Sequence, residues 1–466
     1  MKFWPFILAT ILFAGCATYH SRPISAEKTA DSFEARSLTN DDLHAFFETN
    51  HIAGQWPRPS WDLNALTLVA FYYQPALAEA RVQWAAIKAA EITAGERPNP
   101  SVTVTPGYDS QVPGTPTPWI VTVATDIPVE TAGKRGKRIA EATNLTEAAR
   151  WDFISAVWQT RSHVRIALLT YYAARENESL LMRQEMAQSN VVRLLKGQLN
   201  AGAVSDFEVT QARVAWETTQ LSVQDGLGQL NQARAALAAA LGVPLRALDG
   251  VKFSFAGLDQ FPRALTKPEV RRQALFNRAD VRSALAGYAA SQSALQLEIA
   301  NQYPDIHLGP GYAYNSGNAG DNEWQLGLSV TLPLLNHNEG PVAEAEAKRS
   351  QTAAHFLTVQ ATAISDIDTA LAGYDAALKE SATAKSLLED LRKQLDSTRT
   401  QAKMGEVDAL TLADAETAYY TGAQNQFNAL VKAQQALGAL EDAVQSPLTL
   451  SPQTLDAAQS NLKSQE

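Results

Sequence analysis

Residues able to do chemistry are few and scattered in this chain. Cys16 is the only cysteine, so no disulfide can form within it. The seven histidines (His20, His44, His51, His163, His307, His337 and His355) fall at no metal-ligand spacing, and there are only four methionines. No G-x-S-x-G, H-E-x-x-H, P-loop or dinucleotide fingerprint occurs. Asp366 and Asp368 lie in a long helical tract. There, neighbouring carboxylates read as solvent-facing or as lining a water-filled space, not as an acid–base couple. Catalysis, a bound cofactor and a resident metal are therefore not expected. A net charge of −10 also argues against general nucleic-acid binding.

The clearest single site is at the start. Lys2 precedes an apolar stretch from Phe6 to Ala14, broken only by Thr10, and small residues lead to Cys16. That stretch is too short to span a bilayer and suits the core of a secretory signal. Phe13-Ala14-Gly15-Cys16 resembles a bacterial lipobox, with Phe13 where leucine is usual. The resemblance implies cleavage after residue 15 and acylation of Cys16. An ordinary signal carrying a chance cysteine is the alternative. Ala17, in place of Asp, favours sorting to the outer membrane by the same resemblance. More than one acyl chain would make the anchor stable.

The elements that position everything else come in two copies. Gly202-Ala-Val-Ser205-Asp206 is echoed by Gly405-Glu-Val-Asp408-Ala409, with Gly405 lying 203 residues after Gly202. Ile127-Pro128 matches Leu332-Pro333 at 205, and Pro106-Gly107-Tyr108 matches Pro310-Gly311-Tyr312 at 204. Ordered matches at nearly one spacing indicate duplication. Each copy reads helix, strand, strand, very long helix, tight turn, long helix. The first helix spans about Trp61 to Ala94, and its counterpart Lys267 to Gln302. Of 21 prolines, none lies between Pro128 and Pro244 or between Pro341 and Pro447. Since proline breaks a helix interior, both spans are free to be helical. Ile364, Ile367, Leu371, Tyr374 and Leu378 keep a coiled-coil seam. Gly202 and Gly405 suit left-handed helix ends. Ser205 with Glu208 has capping-box spacing, and Asp408 is a second N-cap. Each span therefore folds back as a helical hairpin with its tip at these glycines.

The strands alternate. Trp119, Val121, Val123, Thr125 and Ile127 share one face of 119–127, and Trp324, Leu326, Leu328, Val330 and Leu332 one face of 324–332. Their partners are 101–108 and 306–314. Such segments fit a transmembrane barrel, although a soluble four-stranded sheet packed on helices has the same alternation. Four strands cannot close a barrel, and open edges do not survive in hydrocarbon. In a membrane, three chains would supply about 12 strands.

Together these features resemble the TolC-like outer-membrane efflux proteins over about Trp61 to Val444. The resemblance implies a mostly α fold with a small transmembrane β part: a trimeric 12-stranded β-barrel continuing into a periplasmic α-barrel. It implies the following organisation. Residues 1–15 are a signal peptide and 16–60 a lipidated, extended N-terminal segment. Residues 61–242 form the first repeat (hairpin 134–241), 243–266 an inter-repeat equatorial segment, 267–445 the second repeat (hairpin 341–445) and 446–466 a tail. The expected partners are two further copies, a periplasmic adaptor, an inner-membrane transporter of the resistance-nodulation-division type, and outer-membrane lipid. The tips, Gly202, Ser205, Asp206, Gly405 and Asp408, would dock the adaptor. Asp414 matches an aspartate that rings the periplasmic constriction in the family. The usual companion falls at Thr411, and a solvated helix carboxylate is the alternative for Asp414. Glu130-x-x-Gly133-Lys134-Arg135 looks like the heavy-metal branch. Lys134, Arg135, Lys137 and Arg138 sit at a helix start, where the dipole disfavours cations, which calls for another partner. Phospholipid head groups at the barrel rim would serve, and a plain solvated charge run is the alternative. On this reading the chain is a passive exit for small molecules or metal ions. A non-conducting periplasmic scaffold and a duct for secreted proteins are the competing readings.

Overall fold

The computed structural model describes residues 18–50, 54–108, 110, 119–262, 271–272, 276–315 and 321–448. Two helices dominate it, α5 (Lys134–Asn200, 67 residues) and α8 (Glu339–Met404, 66 residues). At 1.5 Å per residue each is about 100 Å long. Each reverses into a 36-residue partner, α6 (Asp206–Leu241) and α9 (Ala409–Val444). Gly202 (φ 74°) and Gly405 (φ 75°) take the left-handed conformation that ends a helix, as the sequence requires.

The helix before each strand pair is broken, contrary to expectation. The first is α3 (Leu63–Tyr73) followed by α4 (Pro75–Gly95), with Gln74 extended between them. Pro75 has no N–H to donate and disfavours a helical residue before it. In the second copy α7 runs Ala279–Ala300 and the break is at Arg278, 204 residues on and without a proline. Tertiary contacts hold it there. The Arg278 guanidinium donates to Asp280, Asp366 and the Ala443 carbonyl, and the Ala279 N–H donates to Gln445 Oε1 at 2.7 Å.

Strands β1 (Ser101–Tyr108), β2 (Trp119–Val129), β3 (Ile306–Asn315) and β4 (Asp321–Val330) form one antiparallel sheet in that order. The β2–β3 pairing joins the two repeats. β2 runs two residues past 127, because Pro128 and Val129 lie opposite His307 and Ile306. β4 starts three residues earlier and stops two earlier than expected.

Helices α4, the first half of α5, α7 and the first half of α8 lead to these strands. The second halves of α5 and α8 pack on α6 and α9. The two levels meet at a waist, where the largest core lies: Leu43, Phe47, Leu66, Leu68, Phe153, Val164, Leu168, Leu237 and Leu241. The segment expected to be extended carries two helices, α1 (Ala26–Glu34) and α2 (Asp41–Thr49), of which α2 enters this core. Ser25 and Asn40 cap them, and Leu43 and Phe47 are buried. Arg36 donates to the carbonyls of Tyr73 (3.0 Å) and Gly242 (2.6 Å). Gly242 (φ 72°) has to be glycine, since a Cβ would stand 2.9 Å from the Tyr73 carbonyl oxygen. The inter-repeat segment returns across the waist, where Trp61 exchanges backbone hydrogen bonds with Lys252 and Ser254.

A buried ionic clamp crosses the waist between α5 and α9. Both terminal nitrogens of Arg161 lie 3.2 Å from Glu441 Oε2, and the Arg165 Nε is 3.6 Å from the same oxygen. Arg165 also donates to the Gln434 carbonyl at 2.8 Å. Gly438 opens the space, because a Cβ there would sit 1.8 Å from Arg165 Nη1. Alongside, Asp442 accepts from Trp158 Nε1 (2.8 Å) and the Ser162 hydroxyl (2.6 Å). Burial lowers the proton affinity of Arg165, against the attraction of Glu441. Removing one partner of a buried pair strands the other charge. Glu441→Ala should therefore destabilise the chain by about 3–5 kcal/mol and lower the thermal midpoint of detergent-solubilised protein. An unchanged midpoint would mean that the clamp is solvated in the folded protein.

Candidate functional site

Three regions have the composition of working surfaces: the two faces of the sheet, the turn from sheet to helix, and the hairpin tips. One face of the sheet is apolar in every strand: Val102 and Val104, Val121 and Val123, Leu308 and Tyr312, Leu326 and Leu328. Trp324 (81%), Leu326 (76%) and Leu328 (69%) are largely exposed there. The opposite face carries Thr103, Thr105, Thr122, Asp126, Gly309, Gly311, Gln325 and Ser329. On it His307 Nδ1 is 3.0 Å from Asp126 Oδ1. A sheet bare and apolar on one side and small and polar on the other suits lipid outside and water inside. Among the described residues no helix is long and apolar enough to cross a membrane, and no three metal-ligating side chains cluster.

The basic run at the turn from β2 into α5 has partners inside the chain. Ala132 (φ 53°) and Gly133 (φ 70°) turn the backbone. Lys134 is buried, with Nζ 2.8 Å from Asp305 Oδ1. Thr131 donates its N–H to the same oxygen (2.9 Å) and its hydroxyl to the Pro304 carbonyl (2.6 Å). Burial pushes the Asp305 carboxyl up, but the Lys134 ammonium and Thr131 N–H outweigh it and hold it below the usual aspartate range. Arg135 donates to the Gly95 carbonyl at 2.6 Å. Arg138 grips both oxygens of Glu130 and the carbonyls of Ala94 and Glu96. Lys137 reaches Gln296 at 3.4 Å. Arg135 and Arg138, unfavourable at their own helix start, thus lie against the C-terminal carbonyls of α4, where they are favourable. No external anion is needed to explain them. The E-x-x-G-K-R stretch is a structural joint: Glu130 receives Arg138, Gly133 makes the turn, Lys134 ties the joint to β3, and Arg135 ties it to α4.

The tips form as the sequence indicates. The Ser205 side chain accepts from the Glu208 N–H, and Glu208 Oε2 accepts from the Ser205 N–H at 2.7 Å. Asp206 opens α6, and Asp408 caps α9 by accepting from the Thr411 N–H at 2.8 Å. Thr411 thus serves the cap. Asp414 is exposed, six residues into α9. The two tips pack together, Ala409 and Ala413 against Val191, Leu195 and Val209. The waist clamp was the part not anticipated. Its only trace in the sequence is Arg161 and Arg165, one turn apart and interleaved with the apolar Val164 and Leu168. Cys16 lies outside the described residues.

Hydrogen bonds from the Ser205 N–H and hydroxyl lower the proton affinity of Glu208, and those from the Thr411 hydroxyl and N–H lower that of Asp408. Carboxyls depressed on folding stabilise above their unfolded values and lose that contribution as pH falls through the folded ones. The unfolded values are 4.5 for Glu208 and 3.8 for Asp408. Amide exchange at 203–210 and 406–413, corrected for intrinsic rates, should therefore be flat from pH 7 to about 5 and speed up below about 4. Glu208→Gln should abolish the change at the first tip alone. If the variant keeps the acid response there, the capping box is not its source.

A family model described as "Outer membrane efflux protein" matches residues 72–243 and 270–444. The cobalt-zinc-cadmium resistance protein CzcC of Cupriavidus metallidurans is 25% identical over 236 residues, 51% of this chain and 55% of that protein. The pyoverdine export outer membrane protein OpmQ of Pseudomonas aeruginosa is 23% identical over 62% of this chain and 61% of its own length. The chain thus spans less than two thirds of either curated relative. The crystal structure of the outer membrane protein VceC from Vibrio cholerae shares the fold, with a TM-score of 0.67 at 19% identity, over 83% of this chain and 96% of that one.

Proposed function

The chain belongs to the outer membrane efflux protein family, and on that premise we propose that it is the outer-membrane duct of a tripartite efflux system. Three copies would close a 12-stranded barrel in the membrane and continue it as a helical tube through the periplasm. An inner-membrane transporter, of the resistance-nodulation-division type, would deliver the cargo through a periplasmic adaptor docked on the tips. The duct itself is passive and performs no chemistry on what it conducts. CzcC by its name concerns cobalt, zinc and cadmium, and OpmQ exports pyoverdine. We take small molecules or metal ions as the cargo class, with the metal-resistance relative favouring ions. Acylated Cys16 would anchor the chain to the outer membrane.

One observation carries this reading: a sheet with an apolar outer face, a small polar inner face and two open edges, set on helices about 100 Å long. A soluble sheet would cover that apolar face with helices, and here Trp324, Leu326 and Leu328 are bare. Leu328→Arg should cost about 2–4 kcal/mol, the penalty for a midplane charge on a barrel, and reduce recovery of trimer from outer membranes. Ser329→Arg, on the inner face, should assemble normally. Equal losses for the two variants would rule out a lipid-facing register.

The tip region is where such a tube must narrow to keep the outer membrane closed. Three exposed Asp414 carboxylates around one axis would hold cations and repel anions. Asp414→Asn should then lower cation selectivity, read as the reversal potential across a planar bilayer under a salt gradient, without altering assembly. An unchanged reversal potential would leave Asp414 as a solvated helix carboxylate.

A further inference from the structure

Two hollows open on opposite sides of the layer that α5, α7 and α8 form between the sheet and the waist. The sides can be told apart on α5. At the waist Asp152, Gln159, His163, Ile166 and Thr170 are exposed along one stripe, and the main core and the clamp cover most of the rest. In the tube proposed above, that bare stripe faces the lumen. Successive helix residues are about 100° apart, so Glu141 and Leu145 lie within about 20° of Asp152. The hollow they line, about 500 Å³, therefore opens to the lumen, with Glu298, Glu344 and Lys348 around it. Glu147 and Trp151 lie about 100–140° away, and they line a second hollow of about 810 Å³ on the other side. On α7, Ser291 lines the first hollow and Ala289 the second, about 200° apart.

The outer hollow combines bare apolar surface with fixed positive charge. Phe276 is 67% and Leu285 53% exposed, and Phe356 of α8 adds a further apolar wall. Arg282 stands over the Trp151 ring, its guanidinium carbon 4.5 Å from the ring centre, and its Nε donates to the Phe276 carbonyl at 2.7 Å. These two contacts fix the guanidinium. Its terminal nitrogens have no carboxylate partner among the described residues. Arg272 brings a second cation to the rim. Glu147, the one carboxylate among the described lining residues, is already held by Arg150 at 3.0 Å. The hollow is therefore positive on a chain whose net charge is −10, while its lumenal neighbour is mainly acidic.

We propose that this outer hollow binds an aromatic organic anion, a flat ring system bearing one carboxylate, from the periplasm. The ring is covered by Phe276, Leu285 and Phe356, and the carboxylate accepts from both terminal nitrogens of Arg282. A guanidinium suits that role because its fork matches the two oxygens of a carboxylate. The Trp151 ring and the Phe276 carbonyl hold the fork in place before the ligand arrives, which lowers the ordering cost of binding. The volume lies within the ~300–1,000 Å³ usual for small-molecule sites. A cation would meet Arg272 and Arg282. An inorganic anion would leave Phe276, Leu285 and Phe356 bare to water. All three walls belong to one chain, so the site is complete without a second copy. It does not rest on the duct reading, which decides only the side on which the hollow opens. Opening outward, it takes a ligand that is not in the conducted stream.

Equilibrium dialysis of the full-length protein in lipid nanodiscs tests the site, with empty nanodiscs as the blank. The probes are 2-naphthoate, its neutral analogue 2-naphthylmethanol, its cationic analogue 2-naphthylmethylamine, and acetate. The wild type should bind 2-naphthoate saturably and at least about tenfold more tightly than 2-naphthylmethanol, the difference a charge-assisted bidentate pair supplies. Acetate and 2-naphthylmethylamine should not compete. Raising the salt concentration should weaken the naphthoate alone. Arg282→Gln should bring naphthoate and naphthylmethanol to about parity without changing the latter. Phe276→Ser keeps the backbone carbonyl that orders Arg282, and should weaken both aromatic probes by the same factor, leaving their ratio intact. Arg282 and Phe276 are exposed, so neither change removes a core contact. Equal binding of naphthoate and naphthylmethanol to the wild type overturns the assignment to an anion. A preference that survives Arg282→Gln overturns the assignment to this hollow. Absence of saturable naphthoate binding up to millimolar concentration overturns the site altogether, and leaves the duct reading untouched.

Discussion

The guanidinium groups of Arg161 and Arg165 closing on the Glu441 carboxylate are the interaction on which the rest of this architecture depends. Helices about 100 Å long have too much side to be covered by any single neighbour. α5 meets one set of partners above the waist and another below, and each set is modest and alanine-rich. The clamp stands where the sets change over, and it joins repeat one to repeat two with a charge buried to 1% exposure. Such a pair adds little net stability over apolar packing, but it penalises every other alignment of the two helices, because a displaced partner leaves an ion in a dry place. Gly438, cut away to admit Arg165, is part of the same fit.

What could be read from the sequence was whatever the backbone enforces locally. Proline-free spans announced the long helices, Gly202 and Gly405 announced their ends, and alternation announced the strand faces. What could not be read depends on residues brought together from far apart. The break at Arg278 has no proline to mark it and exists because Asp366, Ala443 and Gln445 converge on it. The basic run at 134–138 looked like a surface seeking an anion because Asp305 and the end of α4 are distant in sequence. The helices at 26–34 and 41–49 were hidden because they are nine residues each and marginal alone. The second is held by the waist core into which Leu43 and Phe47 insert, and the first, which buries no residue, by the Arg246 bond to the Glu34 carbonyl.

Of the working surfaces, the tips and the sheet faces were legible, and both are local in the same sense: caps and alternation need only a few consecutive residues. The joint between sheet and helix is the instructive case, since its motif was visible and its role was not. Glu130, Gly133, Lys134 and Arg135 each have one definite structural task, and together they set the direction in which α5 leaves the sheet. A stretch that resembles the heavy-metal branch can thus also be a mark of joint geometry.

The waist has a mechanical consequence for the two tips. α9 is fixed at its C-terminal end, where Glu441 and Asp442 are held by α5. Along its length it packs on α8, with ion pairs Arg399–Glu416 and Lys432–Glu380, and the tip of this hairpin rests on α5 and α6 through the small contacts of Ala409 and Ala413. The α8–α9 hairpin is thus a lever with the fulcrum at one end, its α9 arm 36 residues or about 54 Å long. A rotation of about 5° at the clamp, well within what packed helices accommodate by rotamer changes, carries the tip about 5 Å sideways. In the trimer proposed above, a triangular opening bounded by three such levers would go from shut to passable through changes too small to register at the waist itself.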